Sequence, residues 1–265
     1  MLAELKVSDG TNLSYLDQGH GPLALFQHGF GMDWQQIHEV WPAQLGIRLI
    51  CLNLRGHGDS ETGSLEDLSF ARAVKDILEL IVHLGEEPKI LGGISLGAAL
   101  AMELTQYLSF SHLIISRPAF DVDGNTSNFN VFRALQRIMR DKPQNLWLTQ
   151  LEHEACFQAL ANSAPRNQET YRRLLEHPRL SELMVWMNAL EVDAMTINNK
   201  TLKHLKPRTD IIEQTYDALH PFTLARKYRD LIPNSNLHTV ASGKESESKY
   251  QESMRTILHD ILREN

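Results

Sequence analysis

The sequence predicts an α/β fold: a mostly parallel twisted sheet with helices on both faces and an inserted helical cap. Three observations carry this. Short apolar runs alternate with helically spaced segments through the first 120 residues. The alternation stops between Asp121 and Lys206, where only helical patterns are found. It resumes at Thr209, giving a core of residues 1–120 and 207–265 around a cap of residues 121–206.

Each element has its own signal. Residues 3–8 and 12–17 alternate apolar and polar side chains around Asp9-Gly10, the pattern of a β-hairpin. Leu23-Ala24-Leu25-Phe26 and Arg48-Leu49-Ile50-Cys51-Leu52 are short apolar runs that suit buried strands. A helix is expected over Trp34–Gln44 between them. Ser64 to Gly85 shows helical spacing, with Leu68, Ala71, Val74, Ile77, Leu78, Ile81 and Leu84 on one side. Ser64 or Asp67 can cap its start and Gly85 its end. His112–Ser116 is the next strand. The cap is expected to hold helices over 129–140, 144–161, 168–176 and 180–189. A strand over 209–214, a helix begun by Pro221, a strand over 237–241 and an amphipathic helix over 250–263 complete the core.

Composition narrows the function classes. A chain of 265 residues with 42% hydrophobic and 22% charged residues can bury a large core. Its net charge of -7 disfavours nucleic acid or an anionic membrane as partner. The two cysteines, Cys51 and Cys156, fall in a strand and a helix and form no disulfide framework or zinc pattern, so no metal is expected. The N-terminal stretch lacks a basic and apolar leader pattern, and no run has the roughly 18 apolar residues of a membrane span. A soluble cytoplasmic protein is the expectation.

The stretch from Pro88 to Leu108 carries the chemistry. Its centre, Gly93-Ile94-Ser95-Leu96-Gly97, is Gly-x-Ser-x-Gly between an apolar run and a small-residue helix. A strand that turns this sharply leaves no room for a Cβ two residues either side of the serine. The strained turn lifts the hydroxyl above the sheet, with a helix N-terminus behind it.

Together with His28-Gly29-Phe30-Gly31 and Asn53-Leu54-Arg55-Gly56-His57-Gly58-Asp59-Ser60, this turn resembles the α/β-hydrolase family, over nearly the whole core. Asn53 stands where the family usually has Asp. The resemblance implies Ser95 as nucleophile, with the backbone N–H groups of Phe30 and Leu96 as oxyanion donors. It implies the chain order serine, acid, histidine, which makes Asp217 the acid, although Gln214 replaces a glycine often found three residues earlier. His28 then reads as a turn residue, and Arg55, His57 and Asp59 as braces of loops near the site.

The histidine departs from the family pattern. It usually follows the last strand as Gly-His, but here that loop reads Ala241-Ser242-Gly243-Lys244-Glu245-Ser246. Three histidines follow Asp217. His259 lies off the apolar face of the last helix, and His238 lies inside the last strand. His220 lies at the carboxyl end of a strand, where such sheets place their sites, and before a helix whose positive end keeps an imidazole neutral. His220 is therefore the candidate base. Its nearness in sequence to Asp217 leaves Lys244 as the alternative, a lysine that would need desolvation to act.

The expected function is a serine hydrolase of a small ester, lactone or thioester, acting through an acyl-enzyme with an atypical base and no cofactor. The alternatives are a non-catalytic protein that binds a small ligand in the same pocket, and a C–C cleaving or eliminating enzyme. The expected partner is a small apolar acyl-type substrate or ligand, with Trp147, Phe157, Met184, Trp186 and Met187 of the cap packing its core or lining the pocket. A homodimer stays open.

Overall fold

The computed structural model describes residues 1–43, 45–192 and 195–263. Chain order runs β1 (Leu2–Lys6), β2 (Asn12–Gln18), β3 (Leu23–Gln27), α1 (Trp34–Val40), β4 (Arg48–Leu52), α2 (Phe70–Leu84), β5 (Ile90–Ile94), α3 (Leu96–Leu104) and β6 (His112–Ser116). Helices α4 (Asn130–Asp141), α5 (Trp147–His153), α6 (Ala155–Gln158), α7 (Leu160–Ser163), α8 (Pro165–Leu175), α9 (Leu180–Val192) and α10 (Asn199–Leu202) follow. The chain then returns to the sheet with β7 (Arg208–Gln214), α11 (Phe222–Leu231), β8 (Ser235–Val240) and α12 (Glu247–Arg263).

Among the described residues the strands form one eight-stranded sheet in the order β1-β2-β4-β3-β5-β6-β7-β8. The first hairpin and the β2–β4 pair are antiparallel, and every later pair is parallel. Alternate residues of each strand enter opposite cores, as the two-residue period of a strand requires. Leu23, Leu25, Ile50, Leu52 and Leu91 pack with α2, α3 and α11. Ala24, Phe26, Leu49, Cys51 and Ile94 pack with α1 and α12. The expected parallel sheet covered on both faces is the observed one.

Three of the departures from the sequence reading have a physical reason in the structure. Helix α1 ends at Val40, because Trp41 precedes Pro42 and takes an extended backbone (φ −74°, ψ 128°); Gln44, its expected end, lies outside the described residues. The start of α2 is capped by Ser69, whose side chain accepts from Arg72 N; Ser64 instead caps a short 3-10 turn over Leu65–Asp67. The expected helix over 144–161 is broken at Glu154. An unbroken helix would point Leu151 and Phe157 about 120° apart. The break lets both enter one apolar cluster with Phe132, Tyr171 and Met184.

The order β4-β3-β5 puts a reversal of winding beside β3. The loops leaving β3 and β5 therefore diverge at their carboxyl ends and open a crevice there.

Candidate active site

Ser95 stands at the head of this crevice. Its backbone is left-handed (φ 58°, ψ −111°), and its N–H donates to Ser116 O of β6 at 3.0 Å. A Cβ on Gly93 would overlap the Gly97 backbone, and one on Gly97 would overlap the Gln27 carbonyl. The two glycines are thus required by the approach of β5, α3 and β3, as the pattern implies.

The loop after β3 is held by two histidines. His28 Nε2 accepts from Leu54 N at 3.1 Å, and His57 Nε2 accepts from Gly31 N at 3.1 Å. Each ring directs Nδ1 at a carbonyl, of Gly29 and Arg55 respectively, which fixes the acceptor tautomer at Nε2. Burial keeps both rings neutral, lowering His28 to about 4 and His57 to about 3. Gly29 lies against Ser95 Cβ. Neither Phe30 N–H nor Leu96 N–H is taken by a protein acceptor among the described residues.

Arg55 is buried between Asp76, at 2.7 Å, and Asp9, and Asn53 ties Trp34 N to the Ser14 hydroxyl. The bracing expected of Arg55 and His57 is what these bonds do, while Asp59 lies exposed.

The acid and the histidine come from the loop after β7. His220 Nε2 lies 2.9 Å from Ser95 Oγ, and His220 Nδ1 lies 2.8 Å from Asp217 Oδ2. The carboxylate accepts only, so Nδ1 carries the proton and Nε2 is left to accept from the serine hydroxyl. The three side chains form one continuous hydrogen-bonded chain, so closeness in sequence does not prevent Asp217 and His220 from serving the same serine. Asp217 also receives Arg117 Nε and Nη2 on Oδ2, at 3.0 and 2.6 Å, and Asn167 Nδ2 on Oδ1 at 3.1 Å.

Burial alone would raise the Asp217 carboxyl, but His220 and Arg117 beside it hold it well below the usual carboxylate range. Burial pushes the His220 imidazole below its ordinary value; Asp217 pulls it up and Arg117 pushes it down. The balance favours a neutral ring, the form that can take a proton.

The other candidates lie elsewhere. Lys244 is exposed, its Nζ 3.7 Å from the centroid of the Tyr216 ring. His238, in β8, bonds Asp210 at 2.7 Å, and His259 is partly exposed beside Asp260. The loop after β8 reaches the site as backbone only: Gly243 N donates to Thr215 O at 2.8 Å, and a Cβ there would overlap Tyr216 O.

The sequence reading did not single out Arg117 or Asn167. Arg117 directly follows β6, so the rule that selected His220, position at the carboxyl end of a strand, also pointed to it. Asn167, buried in the first turn of α8, carries no comparable signal.

Above Ser95 is a cavity of about 480 Å³. Its apolar wall includes Phe30, Phe120, Phe129, Phe132, Met187 and Leu190. Of the cap residues expected to pack or to line, Met187 lines, while Trp186 and Phe157 are buried and Trp186 Nε1 donates to Arg55 O. Among the described residues, Ser95, Arg117 and Tyr216 are the non-glycine residues with positive φ, and all three border this cavity. Such strain gathers where surrounding structure enforces a functional geometry.

A model of the family described as "Alpha/beta hydrolase family" matches residues 24–243. Protein phosphatase methylesterase 1 of Mus musculus is 26% identical over 136 residues, covering 49% of this chain and 35% of that protein. Epoxide hydrolase 3 of Mus musculus is 32% identical over 104 residues, covering 38% of this chain and 28% of that protein. The matched stretches thus span about a third of the curated relatives' length. An esterase from Exiguobacterium antarcticum superposes with a TM-score of 0.71 at 18% identity, covering 98% of this chain and 99% of that one. At that identity the likeness is one of fold.

Proposed function

The chain belongs to the alpha/beta hydrolase family, and from that premise we propose that it is a serine hydrolase cleaving a small ester, lactone or thioester through an acyl-enzyme. The observation that carries the reading is the unbroken chain Ser95–His220–Asp217, with links of 2.9 and 2.8 Å. A protein that had lost its base would not present a neutral imidazole at hydrogen-bond distance from a strained serine. The name of the methylesterase relative agrees with this bond class.

The steps follow from the geometry. Ser95 Oγ attacks the carbonyl carbon as its proton passes to His220 Nε2, and Asp217 stabilises the imidazolium. The carbonyl electrons move onto oxygen, which is met by the N–H groups of Phe30 and Leu96. Collapse expels the alcohol or thiol, which takes the proton from His220. Water then gives a proton to His220 and attacks the acyl carbon; collapse returns the proton to Ser95 and frees the acid. The phenylalanines under the helical cap supply an apolar seat for the acyl group.

The test is covalent labelling by a fluorophosphonate probe. Wild-type protein labels, and Ser95→Ala does not. Absence of labelling in wild type at high probe concentration overturns the assignment.

A further inference from the structure

Arg117 sits where no part of the reaction just described requires a charge. Its N–H donates to Ile212 O of β7 at 2.8 Å, and its left-handed backbone (φ 47°) ends β6. The guanidinium places Nε and Nη2 on Asp217 Oδ2, and Nη2 also lies 3.1 Å from His220 Nδ1. From the other side Tyr250 holds it: Nη1 donates to the hydroxyl at 3.3 Å, and Cζ lies 5.1 Å from the ring centroid. The side chain is only 16% exposed. A left-handed arginine is costly, and here the strain sends the fork onto the oxygen that already serves the imidazole.

Resting on the serine-hydrolase reading, we propose that Arg117 is a positioning residue: it fixes the Asp217–His220 turn against Ser95, and its charge disfavours the imidazolium. Acid and histidine share one short loop, so the carboxylate must be restrained against rotation from outside it, and Asn167 of α8 does this with one donor on Oδ1. Arg117, from the neighbouring strand, does so through two donors on one oxygen. The same charge lies beside the ring that must accept a proton.

The groups facing His220 are Asp217 on its own turn, Arg117 from the end of β6 and Ser95 from the head of α3. Tyr171 of α8, near Asp217, has its phenol pushed up by burial and is uncharged. Glu39 of α1, Arg166 and Arg173 of α8, His177, and Glu247 and Tyr250 of α12 line the cavity, and none of them bonds the His220 ring among the described residues. Arg117 is thus the cation in contact with the ring.

The experiment follows the rate of fluorophosphonate labelling of Ser95 across the acid and neutral range. Arg117→Gln moves the acid limb to higher pH by roughly one unit, because the imidazolium loses a repelling neighbour. Arg117→Lys keeps the charge but loses the fork; it leaves the limb in place and lowers the plateau by about 10- to 100-fold. An unmoved limb in a folded Arg117→Gln protein overturns the proposal, since a merely structural role lowers the rate equally at every pH. A wild-type plateau in Arg117→Lys overturns it as well, and decides the matter alone if the Gln variant does not fold. Absence of Ser95-dependent labelling in the wild type overturns the hydrolase reading instead.

Discussion

Asp217 and His220 are bonded twice within a single turn: His220 Nδ1 meets Oδ2 at 2.8 Å, and His220 N donates to Oδ1 at 3.2 Å. The carboxylate therefore shapes the backbone that presents the imidazole and also orients the ring. The carboxylate thus caps the turn through one oxygen and reaches the imidazole through the other.

His220 and Lys244 are separated as bases by one comparison. His220→Ala removes the proton acceptor at Ser95 and lowers ester hydrolysis by at least about 10³-fold. Lys244→Ala, at an exposed side chain lying on the Tyr216 ring, stays within about twofold of wild type. Hydrolysis of an activated aryl ester, measured beside thermal unfolding, checks both. Equal loss in the two variants would remove His220 from the mechanism.

Asn167 links the α8 helix to this turn. Its Nδ2 donates to Asp217 Oδ1, and its Oδ1 accepts from Ala218 N at 2.7 Å and Leu219 N at 3.4 Å. Asn167→Ala strips buried groups of their partners and costs about 1–3 kcal/mol in urea unfolding. The turn also loosens, so kcat falls by about tenfold while KM, set by the apolar wall, changes less. A variant with lowered stability and unchanged kcat would show that the contact serves folding alone.

Acid stability is governed partly by His28 and His57. Both are neutral and buried, with values lowered to about 4 and about 3 from 6.5. In the unfolded chain they take up protons near 6.5, so between there and about 4 and 3 the unfolded state binds more protons. Stability is therefore full above pH 6.5 and is lost as pH falls through that window. His57→Gln removes one titrating group, so its melting temperature declines less steeply with acid than that of wild type. Parallel declines in the two proteins would show that His57 contributes nothing to the acid transition.

The pattern of local signals explains what the chain discloses unaided. The two glycines around Ser95 and the strand periods are short-range features, enforced within a few residues, and they appear where expected. Asp217 follows from the chain order that the family resemblance implies and His220 from its position at a strand end, although their mutual bond depends on a turn whose geometry no spacing rule specifies. Arg117 and Asn167 act on Asp217 across 100 and 50 residues. Arg117 carries only the general mark of a position after a strand, and Asn167, following Arg166 in a helix, carries none. The break of the 144–161 helix was hidden for a similar reason: it serves a tertiary cluster, not a local preference.

Placing proton acceptor and carboxylate on one loop also changes the mechanics of the site. When they ride on two loops, two independent joints must stay aligned. Here their mutual register is set by three residues of covalent chain, and a single joint remains, the span from Ser95 just beyond β5 to His220 beyond β7. That span is two strand spacings wide, roughly 10 Å across the sheet, and the strand that fills it, β6, is followed directly by Arg117. Twisting or breathing of this part of the sheet would therefore act first on the serine–imidazole distance and leave the acid–imidazole bond intact.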